Sequence, residues 1–365
     1  MGFLLAALAS AMPVQGAAIY WDGGPFGTGT DFNDPENWDP DGFPGTADSA
    51  TVQNGGTAII SADPPNAIDY FYLARNSDTR GHVEHTGGTL TINRDFHVSS
   101  LQRCVSTYYQ SGGKIVQSPT NTVYMRIGGS DFSYGYYDLS GGELQAQGLM
   151  VGAGTGSGSN NESLGMLHQT GGSVTVTCSL ATYSAIGNSG AAMGVYNLTG
   201  GTFTQLAGHF RVGGGGSLAP NGQLNVSGTG QFDLKQEYMY VAVHATSHGS
   251  LNLGPGGSVT VPYIMPGAGT ARVNFHGGTL RANSDQADFV RLDAHVYGGG
   301  AKIDTAGYDV TIAKNLLAPT DHGVDSIAVD YGGDAYVGPP AVRITGGTGS
   351  GATAIANVSE GVVTG

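Results

Sequence analysis

A solenoid of stacked parallel β-coils, all-β, is the fold class this sequence predicts, and three observations carry it. Glycine pairs or near pairs recur at Gly87, Gly112, Gly141, Gly171, Gly200, Gly228, Gly256 and Gly277, at intervals running from 21 residues (Gly256 to Gly277) to 30 (Gly141 to Gly171). Each stands between short alternating apolar segments, which have the period of two that strands show and not the 3.6 of helices. Self-similarity at this spacing, built from strand-forming residues, is the signature of a repeat architecture.

Composition narrows the class further. The chain has 365 residues, with 63 Gly, 39% hydrophobic residues, 12% charged residues, and Lys+Arg 14 against Asp+Glu 28 for a formal net charge of -14. Ordinary globular chains carry about 25% charged residues, so Ser, Thr, Asn, Gln and Gly must cover this surface. An acidic chain without a Lys/Arg cluster excludes nucleic acid and anionic membranes as partners. The regular strand patterns exclude disorder; the N-terminal apolar run is too short for a transmembrane helix, and no other segment could span a membrane.

In chain order, residues 1–17 read as a signal peptide. Phe3 to Ala11 is a short apolar run, followed by Pro13 and the small residues Gly16 and Ala17. Residues 18–62 read as an N-terminal cap holding both tryptophans, Trp21 and Trp38, because a solenoid must cover its open strand edge. A second reading makes Trp21, Trp38 and Phe43 a glycan-contact platform. The cap is preferred because terminal repeats are often atypical.

Residues 63–318 read as the β-helix coils. Aligned on the glycines, Val83, Tyr108, Tyr137, Leu167, Tyr196, Leu224, Leu251 and Val273 form one apolar column, and Leu90, Ile115, Leu144, Val174, Phe203, Phe232, Val259 and Leu280 form another. Polar residues alternate with them, from Thr89, Lys114 and Glu143 to Thr279, and face solvent. Arg126-Ile127-Gly128, Met150-Val151-Gly152, Ala185-Ile186-Gly187 and Arg211-Val212-Gly213 give a third strand per coil. Eight or nine coils spaced about 4.8 Å apart make a rod of about 40 Å. Asn197, Asn225, Asn252 and Asn274 share a column suited to an amide ladder. Gly152 to Gly165 reads as the longest loop. Cys104 lies 17 residues after Gly87 and Cys178 7 after Gly171, so their phases differ and both are expected as buried free thiols. Residues 319–365 read as a small C-terminal β-module.

The glycine-threonine units, the Trp21 and Asn37-Trp38 opening and the Gly346 to Ala354 tail resemble bacterial surface proteins with autotransporter-associated β-strand repeats. The resemblance implies a pectate-lyase-like right-handed parallel β-helix, exported to the cell exterior or surface as a spacer, adhesin or passenger, with surface glycans or other surface proteins as partners. The C-terminal membrane barrel of autotransporters is not in this sequence.

Enzymes of this fold gather carboxylates in adjacent coils. The outward column Thr91, Val116, Gln145, Thr175, Thr204, Asp233, Thr260 and Arg281 holds a single acid and no cluster of them. Asp285, Asp288 and Asp293 with Arg291 read as a solvated loop. Asp31, Asp34, Asp39 and Asp41 lack the ligand spacing of a calcium loop. His82, His85 and His97, like His244 and His248, read as surface or turn residues without a zinc pattern. Paired threonines (Thr89 and Thr91, Thr202 and Thr204) suggest an ice-binding array, which Lys114, Glu143 and Val116 interrupt. The sequence therefore predicts no catalytic residues, metal or cofactor, and a structural or adhesive exported protein; the alternative is a polysaccharide-binding or polysaccharide-degrading lyase or hydrolase.

Overall fold

The computed structural model describes residues 16–118, 123–154, 162–178, 183–215, 218–319, 324, 326–342, 344 and 354–365. Almost all of the signal-peptide segment, half of the Gly152–Gly165 loop and nearly all of Gly346–Ala354 lie outside the described residues. The described chain is all-β apart from a 3-10 turn at Pro35–Asn37, and its parallel strands stack as a β-solenoid of about ten turns.

Each turn visits three sheets. Sheet 1 holds six-residue strands such as Arg80–His85, Val105–Gln110 and Tyr134–Leu139. Sheet 2 holds the strands entered through the glycine corners, from Thr89–Ile92 onward. Sheet 3 holds short strands such as Phe96–Val98 and Met125–Ile127. The three sheets have eleven, nine and eleven strands among the described residues.

The expected columns pair in register. Tyr108 stands beside Val83 and Tyr137, and Leu224 beside Tyr196 and Leu251, all fully buried. In sheet 2, Phe203 lies between Val174 and Phe232, with the two phenylalanine rings stacked 4.5 Å apart. Like residues stack because each coil repeats the environment of the one below. About ten turns replace the expected eight or nine, since Ser49–Val52 and Asn54–Ile60 already pair with coil strands, and Ala294–Val296 and Leu316–Leu317 continue sheet 1. The first turns and the Leu316–Leu317 turn lack the glycine pair that marks the others, whereas the Ala294–Val296 turn keeps glycines at its corner, Gly298 to Gly300.

The glycine pairs do mark the corner between sheets 1 and 2. The second glycine takes a left-handed conformation at Gly88, Gly113 and Gly142, with φ of 75°, 65° and 82°, where a side chain would be strained. A second glycine column, not read from the sequence, closes the corner between sheets 3 and 1: Gly135, Gly165, Gly194, Gly222 and Gly249 are successive register partners. A Cβ on Gly165 would lie 2.0 Å from the Ile127 carbonyl oxygen, and one on Gly194 2.1 Å from that of Val151. Backbone meets backbone at these two positions, so a side chain there needs the coils to move apart, although the same column takes Ser106 and Ala271 in other turns.

Polar groups are matched coil to coil. Asn225 Nδ2 donates to Asn197 Oδ1 at 2.6 Å, Asn252 to Asn225 and Asn274 to Asn252 both at 2.7 Å, which is the expected ladder. The core hydroxyls of Tyr137 and Tyr196 donate to Gln110 and Gln169, whose amides in turn cap the carbonyls of the glycine corners. Without such partners a buried hydroxyl costs about 1–3 kcal/mol. Cys104 and Cys178 are both buried and unbridged.

Candidate functional site

The two tryptophans belong to the core. Trp21 is 2% exposed and Trp38 0%; they meet edge to face at 5.3 Å, and Trp38 packs on Phe32 and Phe43 and donates Nε1 to the Phe32 carbonyl. Phe43 is partly buried against the same cluster. This is how a cap closes a first coil. Of the residues considered for glycan contact, Trp21 and Trp38 spend their indole faces on one another and on Phe32, and Phe43 is partly exposed.

The other sequence candidates also have structural employment. Asp31 and Asp34 accept backbone N–H groups of Asn33 and Glu36 in their own turns. Asp285 and Asp293 accept the N–H groups of Asp309 and Asn315 from the next coil. No group of three or more His, Cys, Asp or Glu that could hold a metal occurs among the described residues. Two of the histidines are not surface residues: His85 is 0% and His97 8% exposed. His85 faces inward at the end of its strand, where Nδ1 meets the Tyr108 hydroxyl at 2.9 Å and Nε2 the Gly88 carbonyl. Inward alternation, with a polar partner in the next coil, overrides the residue's usual surface preference.

Burial pushes His85 and His97 below the ordinary imidazole value of 6.5. The unfolded chain then binds protons near pH 6.5 that the folded chain cannot take up, so stability falls as pH drops below 6.5 toward the folded values. The unfolding free energy from urea titrations is expected to decline over that window, by at most about 1.4 kcal/mol per pH unit for each histidine. His85→Gln should flatten the decline, and an unchanged profile would contradict the assignment.

The outward surface of sheet 3 is where exposed chemistry concentrates. Its strands point alternate residues at solvent, and the first residue of a strand, or the one just before it, adds a second outward row. In that row Tyr183, His209, Tyr238 and Tyr263 occupy successive turns, with ring centroids 5.6, 5.6 and 5.1 Å apart and planes within 17°. Arg211 lies 3.6 Å from the centroid of Tyr183, and Arg291 3.8 Å from that of Tyr263. Both terminal rings of the stack therefore carry a guanidinium.

The electrostatics differ along this face. In the N-terminal half, Arg94 and Arg126 pair with Asp69 and Asp95 at 3.3 and 2.7 Å. Asp95 also approaches His97 and accepts the Tyr124 N–H; burial raises its carboxyl, but His97, Arg126 and that N–H outweigh burial and hold it below the usual 3.8. In the C-terminal half, neither Arg211 nor Arg291 makes an ion pair among the described residues. Arg211 Nε donates to His209 Nε2 at 2.8 Å. Burial first, then the Arg211 charge, holds His209 below its usual range, so its ring is neutral, and that bond places its remaining proton on Nδ1. Burial, then the neighbouring Tyr263 and Tyr240, raises the Tyr238 hydroxyl, which stays a donor.

Three turns separate Arg211 from Arg291, about 14 Å at about 4.8 Å per turn. The rings cover one another's faces, so the surface offers hydroxyl edges and guanidinium forks. Such a strip can hold an extended, hydroxyl-bearing anion, and it gives a planar base nothing to stack on. No protein-family model matches the chain, and no curated protein or solved structure matches it either.

Proposed function

We propose that the chain is an exported, non-catalytic β-helix that acts outside the cell as a rigid spacer with an adhesive face, sheet 3, which contacts acidic surface glycans. The observation that carries this reading is the pair of unneutralised guanidinium groups, Arg211 and Arg291, on the ring stack of a chain with net charge -14. Each Nε is held, by His209 and by the Asp288 carbonyl, but neither guanidinium meets a carboxylate among the described residues, and the remaining nitrogens can bind carboxylate or sulfate through parallel hydrogen bonds. The continuous core and the coil-to-coil ladders support rigidity, and the apolar run Phe3 to Ala11 supports export.

One observation favours the enzymatic alternative, the Asp95, His97 and Arg126 cluster at the other end of the same face. Asp95 Oδ2 and His97 Nε2 both lie against the Arg126 guanidinium while His97 Nδ1 has no hydrogen-bond partner among the described residues, which suits a brace for Arg126 more than a proton relay. A panel of acidic and neutral polysaccharides separates the readings. The spacer reading expects saturable binding of acidic members, no new reducing or unsaturated ends, and the same behaviour in Asp95→Asn. Turnover abolished by Asp95→Asn would overturn it.

A further inference from the structure

On the outer surface of sheet 1, side chains that alternate away from the core are nonetheless covered. Tyr136, Met166 and Val195 are register neighbours that point outward, opposite in parity to the core residues Tyr137, Leu167 and Tyr196, yet they are 4%, 2% and 4% exposed. They form an apolar cluster of their own, flanked by Tyr109, Tyr134 and Met193. Part of the cover comes from far along the chain. The Tyr109 hydroxyl donates to the Val337 carbonyl and the Tyr134 hydroxyl to the Pro339 carbonyl, both at 2.9 Å.

The fit between groove and segment is specific. Gly338 is buried, and a Cβ there would lie 2.6 Å from the Tyr134 hydroxyl and 2.9 Å from Tyr136 Cγ. Pro339 and Pro340 have no N–H to satisfy, so the segment needs only donors for its carbonyls, and tyrosine hydroxyls supply them. Proline-containing segments dock in aromatic-lined grooves on this principle, with little conformational entropy to lose.

We propose that the tyrosine groove of sheet 1 is a peptide-docking site, that Val337–Pro340 is its ligand in cis, and that the same segment of a second copy is its partner in trans. The groove lies on a different sheet from the glycan-binding face, so the two stand or fall separately. Exchange of the segment between copies makes no contact that the cis form lacks, which is the low-cost route by which identical chains associate.

The test uses the full chain. Gly338→Leu should expel the segment, seen as faster amide exchange over residues 333–342, while the solenoid keeps its melting temperature. A synthetic peptide of residues 333–342 should then bind Gly338→Leu saturably. It should bind the unaltered chain at least about tenfold more weakly, because the resident segment competes at a millimolar effective concentration. Adding Tyr134→Ala and Tyr136→Ala to Gly338→Leu should abolish binding. Mixing the Gly338→Leu chain, with its groove empty, and a Tyr134→Ala/Tyr136→Ala chain, with its segment free, should give a one-to-one heterodimer by sedimentation. Unchanged exchange in Gly338→Leu, no peptide binding once its segment is free, equal binding by the unaltered chain, or no heterodimer where the peptide saturates would each overturn the proposal.

Discussion

Gly194→Ala is expected to destabilise the solenoid by about 3 kcal/mol or more, the upper range for overpacking a close-packed interior. The added Cβ would sit 2.1 Å from the Val151 carbonyl oxygen and 2.3 Å from the Gly187 amide nitrogen. Both are backbone atoms, Val151 of the coil below and Gly187 of the corner in the same coil, joined by the Gly187 N–H to Val151 carbonyl bond, so no rotamer change relieves the clash. The strand must lift off its neighbour, and that strains the hydrogen bonds of two turns. Gly298→Ala is the control, because a Cβ there meets nothing within 4 Å and the backbone is not left-handed. That variant should stay within about 0.5 kcal/mol of the unaltered chain. Urea midpoints measure both. Equal midpoints would mean that the corner does not hold the coils together.

The second large effect concerns the adhesive face. Arg211→Ala and Arg291→Ala should each weaken binding of an acidic polysaccharide by about tenfold, equivalent to about 1.4 kcal/mol, near the lower end of what a hydrogen bond to a charged group contributes. At about 14 Å apart the two sites should act independently, so the double variant should lose about a hundredfold. Arg103→Ala removes the same charge from an exposed pair with Asp78 and should leave binding unchanged. Isothermal titration gives the affinities. If Arg103→Ala weakened binding as much, the attraction would be general charge and not this face.

The coils are legible in the sequence because two residue columns, Val83 to Val273 and Leu90 to Leu280, alternate with polar ones, and because Gly88 and its equivalents need a left-handed backbone. The amide ladder is legible for the same reason, since Asn197 to Asn274 keep a constant phase. The sheet-3 face is much less so. Tyr183, His209, Tyr238 and Tyr263 are followed by dissimilar residues, Ser184, Phe210, Met239 and Ile264, so no shared local pattern marks them. Their alignment becomes visible only when the register of that sheet is fixed. The tyrosine groove is less legible still, because Gly338 and Tyr134 meet across 204 residues and no local spacing joins them. The corner glycines had a signal of their own, a glycine two residues before most of the core tyrosines and leucines of sheet 1, as in Gly194-Val195-Tyr196. The buried tryptophans show the converse: aromatic residues in a terminal segment say that something needs covering, and packing decides whether it is the chain or a ligand.

Length dependence of binding tests the central claim most directly. Oligosaccharides of one acidic glycan, graded by length, are titrated against the unaltered chain, and each mixture is examined for cleavage. The account predicts that affinity climbs until a chain can reach from Arg211 to Arg291, then levels off, and that every oligosaccharide is recovered intact. Affinity independent of length, or shortened products, would contradict it.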